Sequence, residues 1–130
     1  METQFQRDEI IKFITDFYGD NPEYLWAKTP DYAVFRHQTN QKWYAIIMTI
    51  PYDKLGVKKE EMVDIINVKC DHIMMGSLLQ ENGFYPAYHM SKTHWITIAL
   101  DGSVNTQKIK TLIDISYELT DVKIKKHPLS

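Results

Sequence analysis

The order of apolar patterns along this chain points to an α+β domain of two layers, a mostly antiparallel sheet with the N- and C-terminal helices packed on one face. Helical stripes stand near both ends. Near the start Ile10, Phe13, Ile14 and Phe17 recur at i, i+3, i+4 and i+7, and near the end Ile109, Leu112, Ile113 and Tyr117 repeat the pattern. Between them lie five runs rich in aromatic and β-branched residues, the composition of strands. The chain of 130 residues is about one domain long, so residues 1–130 read as a single unit.

Helix 1 is expected to end by Gly19, because Asp20-Asn21-Pro22 is dense in helix breakers. Glu23 to Pro30 then reads as an irregular crossing anchored by Tyr24, Leu25 and Trp26. A hairpin follows, Tyr32 to Arg36 and Trp43 to Ile50 around Thr39-Asn40-Gln41-Lys42. Pro51 closes it, and Tyr52 to Glu61, with its charged end, is expected as an exposed loop. Met62 to Lys69 is the third strand. Asp71 is placed to cap a short helix running to about Glu81, since its carboxylate can accept the unpaired amides of the first turn, and Asn82-Gly83 stops it. Phe84 to His89 and Trp95 to Leu100 form the second hairpin, turning at Met90 to Thr93. Ser103 or Asn105 opens the last helix.

Composition narrows the function classes. With 44% hydrophobic and 25% charged residues the chain is an ordinary globule, and neither disorder nor a repeat array fits. No apolar run approaches the roughly 20 residues of a bilayer span, and METQFQRDEI is too polar for a secretory signal, so a cytoplasmic location without a membrane partner is expected. The formal net charge of −2 denies the protein the general basic field of a nucleic-acid packager. Residues 1–31 hold seven acidic and three basic side chains, net −4, which leaves +2 for the remainder. Any nucleic-acid face must therefore be local and lie opposite helix 1.

Three tracts carry a family resemblance: Asn67-Val68-Lys69-Cys70-Asp71, Tyr85-Pro86-Ala87-Tyr88-His89-Met90-Ser91-Lys92-Thr93-His94-Trp95, and Leu112-Ile113-Asp114-Ile115-Ser116-Tyr117-Glu118-Leu119. Together they resemble the MmcQ/YjbR family, and Tyr88 to Trp95 is the most specific part. Members usually show Gly where this chain has Ala87 and Asn where it has Ser91. The resemblance implies a fold like that of CyaY, the bacterial frataxin. It also implies DNA binding, the hairpins acting like a double wing. Fold alone does not establish an activity.

The residues themselves offer a surface of that kind. His89, Lys92 and His94 alternate with Tyr88 and Trp95 around the second turn, with Lys69 on a neighbouring strand: cations for phosphate, rings for sugar or base. The competing reading has Tyr88 and Trp95 packed inward and the histidines bonded at the sheet's end. The leading expectation is a non-enzymatic, weak and largely sequence-independent contact to the DNA backbone by a monomer. Participation of His89 and His94 predicts tighter binding near pH 6 than at pH 8, because protonation adds positive charge. The basic tail Lys123 to His127 could track phosphate, but its alternation equally suits a solvated edge strand.

Other chemistries find less support. Glu2, Asp8, Glu9 and Asp16 form no closed ligand set, and His89 and His94 lack metal-binding spacing, so neither metal nor cofactor is expected. Cys70 would need His89 or His94 as base and Asp71 or Asp101 as orienter; it reads better as a small buried hydrophobe. Tyr24, Trp26, Tyr32 and Trp43 offer an alternative function, an exposed aromatic surface that binds a protein partner or a small ligand.

Overall fold

The computed structural model of the chain describes residues 2–121, so the basic tail at 123–127 lies outside the described residues. In chain order the elements are α1 (Glu2–Tyr18), β1 (Ala33–Arg36), β2 (Trp43–Pro51), a single 3-10 turn (Tyr52–Leu55), β3 (Met62–Lys69), α2 (His72–Leu78), β4 (Phe84–Pro86), β5 (Trp95–Ala99) and α3 (Thr106–Thr120). The strands form one sheet in the order β1-β2-β3-β5-β4, each neighbouring pair antiparallel. This is the expected α+β architecture with both terminal helices on one face.

Alternation along the strands divides the apolar residues between two cores. Ile47, Ile66, Val68, Ile96 and Ile98 turn toward Ile10 and Ile14 of α1 and Ile109, Leu112 and Ile113 of α3. Each such side chain, fully buried, contributes about 1.5–3 kcal/mol. The stripe of α1 is not inward along its whole length: Phe17 is 66% exposed. Tyr18 takes the inward position instead, stacked 4.1 Å from Tyr117 and edge-on to Tyr44 at 5.6 Å. Tyr44 reaches that side through a β-bulge. Phe35 pairs with Ala45 but Arg36 with Trp43, leaving Tyr44 as the extra residue on the same side as Ala45.

The opposite face carries Val34, Ile46, Met48, Ile50, Val63 and Ile65 and has no helix over it. Connecting segments cover it. The 52–61 stretch, expected as an exposed loop, begins with the 3-10 turn that buries Tyr52, and Leu55 and Val57 pack on the sheet. Tyr52 Oη donates to Asp101 Oδ2 at 2.6 Å. The crossing at 20–32 is not anchored by Tyr24 and Leu25, which stay exposed. Glu23 anchors it: its N–H and C=O pair with the C=O and N–H of Val34, each at 2.9 Å, while its carboxylate takes a bidentate bond from Arg36 at 2.9 and 2.7 Å.

The caps follow the side-chain chemistry. Asp71 accepts from Met74 N at 2.8 Å, and Asn105, not Ser103, caps α3 by accepting from Gln107 N and Lys108 N. α2 stops at Leu78, short of Glu81, because the chain tightens into i→i+3 bonds from Gln80 N to Ser77 O and Glu81 N to Leu78 O. Gly83 then turns with φ +93°, where an added Cβ would lie 2.5 Å from Val104 Cγ2, so only glycine fits. β4 ends at Pro86, three residues before the expected His89, and β5 at Ala99, one before Leu100.

Candidate functional site

The loop from Ala87 to His94 leaves the sheet on the face without helices. Its course is fixed by a buried polar pair. Thr97 Oγ1 donates to Asn67 Oδ1 across β5 and β3 and accepts the Tyr88 N–H at 2.9 Å; Asn67 Nδ2 donates to Tyr88 O at 3.0 Å. Both polar groups of the Tyr88 backbone are thus held by side chains rather than by a strand partner, which is why β4 ends early. Neither Asn67 nor Thr97 is exposed to solvent. Next in the chain, His89 sits at φ +60°, a left-handed conformation that few side chains adopt. Its imidazole is exposed and lies edge-on to Tyr88, centroids 4.1 Å apart.

Tyr88, His89 and Lys92 meet around one cleft of about 350 Å³, joined by Lys54 and Leu55 of the 3-10 turn and by Tyr85. Lys92 Nζ donates to Ala87 O at 2.8 Å, which folds the ammonium back over its own loop. Asp101, whose charge Tyr85 senses, is already held by Tyr52 Oη and by Ser103 N. The other three expected residues stand apart from this cleft. Lys69 and Trp95 face each other across β3 and β5, the indole half-buried against the sheet. His94 is exposed at the base of the turn, its carbonyl accepting from Cys70 N at 2.8 Å.

A second cleft of about 230 Å³ adjoins the first, and His89 lines both. Trp26, Tyr32 and Trp43 wall it; Met48 and Met90 also line it. Trp26 stands nearly perpendicular to both other rings, 5.8 Å and 82° from Trp43, 6.1 Å and 76° from Tyr32. Burial, and then the nearby Tyr88 and Asp31, hold the Tyr32 phenol above its ordinary pKa. Of the four aromatics expected to line such a cleft, Tyr24 does not. Sequence reasoning missed Lys54, which reaches the site only because the 3-10 turn folds back over the sheet, and Tyr85, which faces the cleft from β4.

Charge is distributed unevenly between the two faces. On the helical side Lys12, Lys108 and Lys110 are paired with Asp16, Glu81 and Glu9 at 2.7, 2.6 and 3.5 Å. On the other side Arg36 and Lys59 are paired with Glu23 and Glu61 at 2.7 and 4.0 Å, whereas Lys54, Lys69 and Lys92 have no carboxylate partner among the described residues. Cys70 is buried; burial, then the charge of Asp71, push its thiol up to about 11, the opposite of an activated nucleophile. No group of three His, Cys, Asp or Glu residues capable of holding a metal occurs among the described residues. Within the same residues, no helix is long and apolar enough to cross a membrane.

Comparisons with known proteins set this geometry in context. The model of the YjbR family matches residues 15–119. Protein YyaQ of Bacillus subtilis (strain 168) is 40% identical over 114 residues, 88% of this chain and 97% of its own length. A crystal structure of a Pseudomonas syringae protein, 45% identical, superposes with a TM-score of 0.86 over 88% of this chain and 97% of that one. A Deinococcus radiodurans crystal structure at 20% identity shares the fold, with a TM-score of 0.69 over 92% of this chain and 81% of its own.

Proposed function

Because the chain belongs to the YjbR family, whose resemblance carries an expectation of DNA contact, we propose that it is a non-enzymatic module that holds nucleic-acid phosphate weakly and with little sequence preference. The observation that carries this reading is the lysines without a carboxylate partner on the helix-free face: Lys54 and Lys92 around the Tyr88–His89 cleft, and Lys69 apart from it opposite Trp95. An unneutralised ammonium is available to a phosphate, whereas the lysines on α1 and α3 already have carboxylates. Tyr88 and Trp95 supply ring surface for sugar.

Titration with duplex DNA at low salt tests it. The amide signals of residues 88–95 and of Lys54 are expected to move, and the Lys54→Ala/Lys92→Ala double variant is expected to weaken binding and lower the slope of log K against log salt by about two, one per lost phosphate contact. Unmoved signals at low salt would remove the basis of the reading. A second reading, a protein-interaction or small-ligand module, draws on the cleft walled by Trp26, Tyr32 and Trp43. Recovery of a partner from nuclease-treated lysate supports that one; recovery that nuclease abolishes supports the first.

A further inference from the structure

We infer that the aromatic cleft is a slot for a single unpaired nucleobase, seated beside the cationic cleft that takes the attached phosphate. The inference rests on the phosphate-binding reading above and deepens it to a preference for single strands. Three features lead to it. First, the walls are rings set at right angles: a planar group lying flat on Trp43 or Tyr32 meets the Trp26 indole edge-on, both of which are favourable aromatic geometries. Second, the cleft, about 230 Å³, falls below the roughly 300–1,000 Å³ of pockets that enclose drug-sized ligands, which suits one ring system. Third, His89 lines both this cleft and the neighbouring one that holds Lys54 and Lys92.

That juxtaposition of a flat apolar site and two ammonium groups matches a nucleotide, whose base and phosphate are joined through one sugar. An apolar peptide side chain would fill the aromatic cleft and leave the lysines without an anion. Duplex DNA keeps its rings inside the stack and must unstack one before it can use the slot. A single strand presents them directly, and stacking on aromatic side chains tolerates any base. His89, which lines both clefts, would then lie beside the sugar that links base to phosphate.

The test uses the whole chain with three probes: a ten-residue oligothymidylate, the same-length duplex, and a ten-residue abasic strand carrying the same phosphates without rings. The oligothymidylate is expected to bind at least about tenfold more tightly than the abasic strand and to quench tryptophan emission; Trp26→Ala, a change at a partly exposed residue, is expected to weaken it by roughly 5- to 150-fold while leaving the abasic strand unaffected. The duplex is expected to bind no more tightly than the abasic strand. Equal binding of oligothymidylate and abasic strand overturns the base slot yet leaves the phosphate reading intact. Failure of all three probes to bind overturns both. The abasic comparison uses unaltered protein, so it decides the matter even if Trp26→Ala folds poorly.

Discussion

A histidine at φ +60° carries a cost of about 1–2 kcal/mol, because its Cβ crowds the backbone carbonyl, and the cost is met at His89, which lines both clefts. Glycine has no such penalty, although it gains freedom in the unfolded chain. His89→Gly is therefore expected to leave thermal stability unchanged or raise it by up to about 1 kcal/mol, while weakening nucleic-acid binding. A clear fall in melting temperature would mean that the imidazole's contact with Tyr88 outweighs the backbone strain. At Asp101 burial pushes the carboxyl up, and hydrogen bonds from Ser103 and Tyr52 more than reverse it, leaving it below its ordinary 3.8. A depressed carboxylate stabilises the fold above pH 3.8 and loses that contribution as the pH falls through its folded value. Tyr52→Phe removes one of the bonds, so acid unfolding followed by circular dichroism is expected to move to higher pH. Single residues were unequally legible in the sequence. Asp71 and Asn105 act on amides two or three positions away and could be read directly, whereas the bond from Tyr52 to Asp101 spans 49 positions and has no local signature.

Among the elements, the β4–β5 ribbon shows what pattern reading reaches and what it misses. The strands themselves were legible from their aromatic and β-branched content. The end of β4 was not, because Tyr88 finds its partners in Asn67 and Thr97, two polar side chains within otherwise apolar strands. Thr97→Val keeps the shape but leaves the Tyr88 N–H and the Asn67 oxygen without partners, an expected cost of about 1–3 kcal/mol in denaturant unfolding. Faster amide exchange across residues 87–94 should accompany it. The bulge at Tyr44 is the other case. Strict alternation would set Tyr44 on the same side as Ile46, and only the slipped register with Arg36 brings it under the helices. Of the site, the contiguous run Tyr88 to Trp95 was visible, but its division was not: Tyr88, His89 and Lys92 share a cleft while Lys69, His94 and Trp95 do not line it.

For the whole molecule, α-helical and strand periodicities sufficed to place both terminal helices on one face, since that assignment depends only on which elements carry stripes. What covers the opposite face was hidden, because irregular segments show no period. Tyrosines are tied down on both faces. Burial first, and then hydrogen bonds to Asp114, Asp20 and Asp101, raise the phenols of Tyr18, Tyr44 and Tyr52 well above 10. A raised phenol supports the fold below pH 10 and withdraws that support as the pH climbs beyond it. In an alkaline titration followed by phenolate absorbance, these three of the eight tyrosines are expected to ionise only as the chain unfolds. Smooth titration of all eight in a folded protein would contradict this.

Glu23 has a wider effect than pinning one crossing. By occupying the outward N–H and C=O of Val34 it closes one margin of the sheet, and the other margin is a three-residue strand that finishes on Pro86, which has no amide to offer. Fibril growth by strand addition thus finds little template at either border, and any partner must be gripped by side chains rather than by lengthening the backbone ladder.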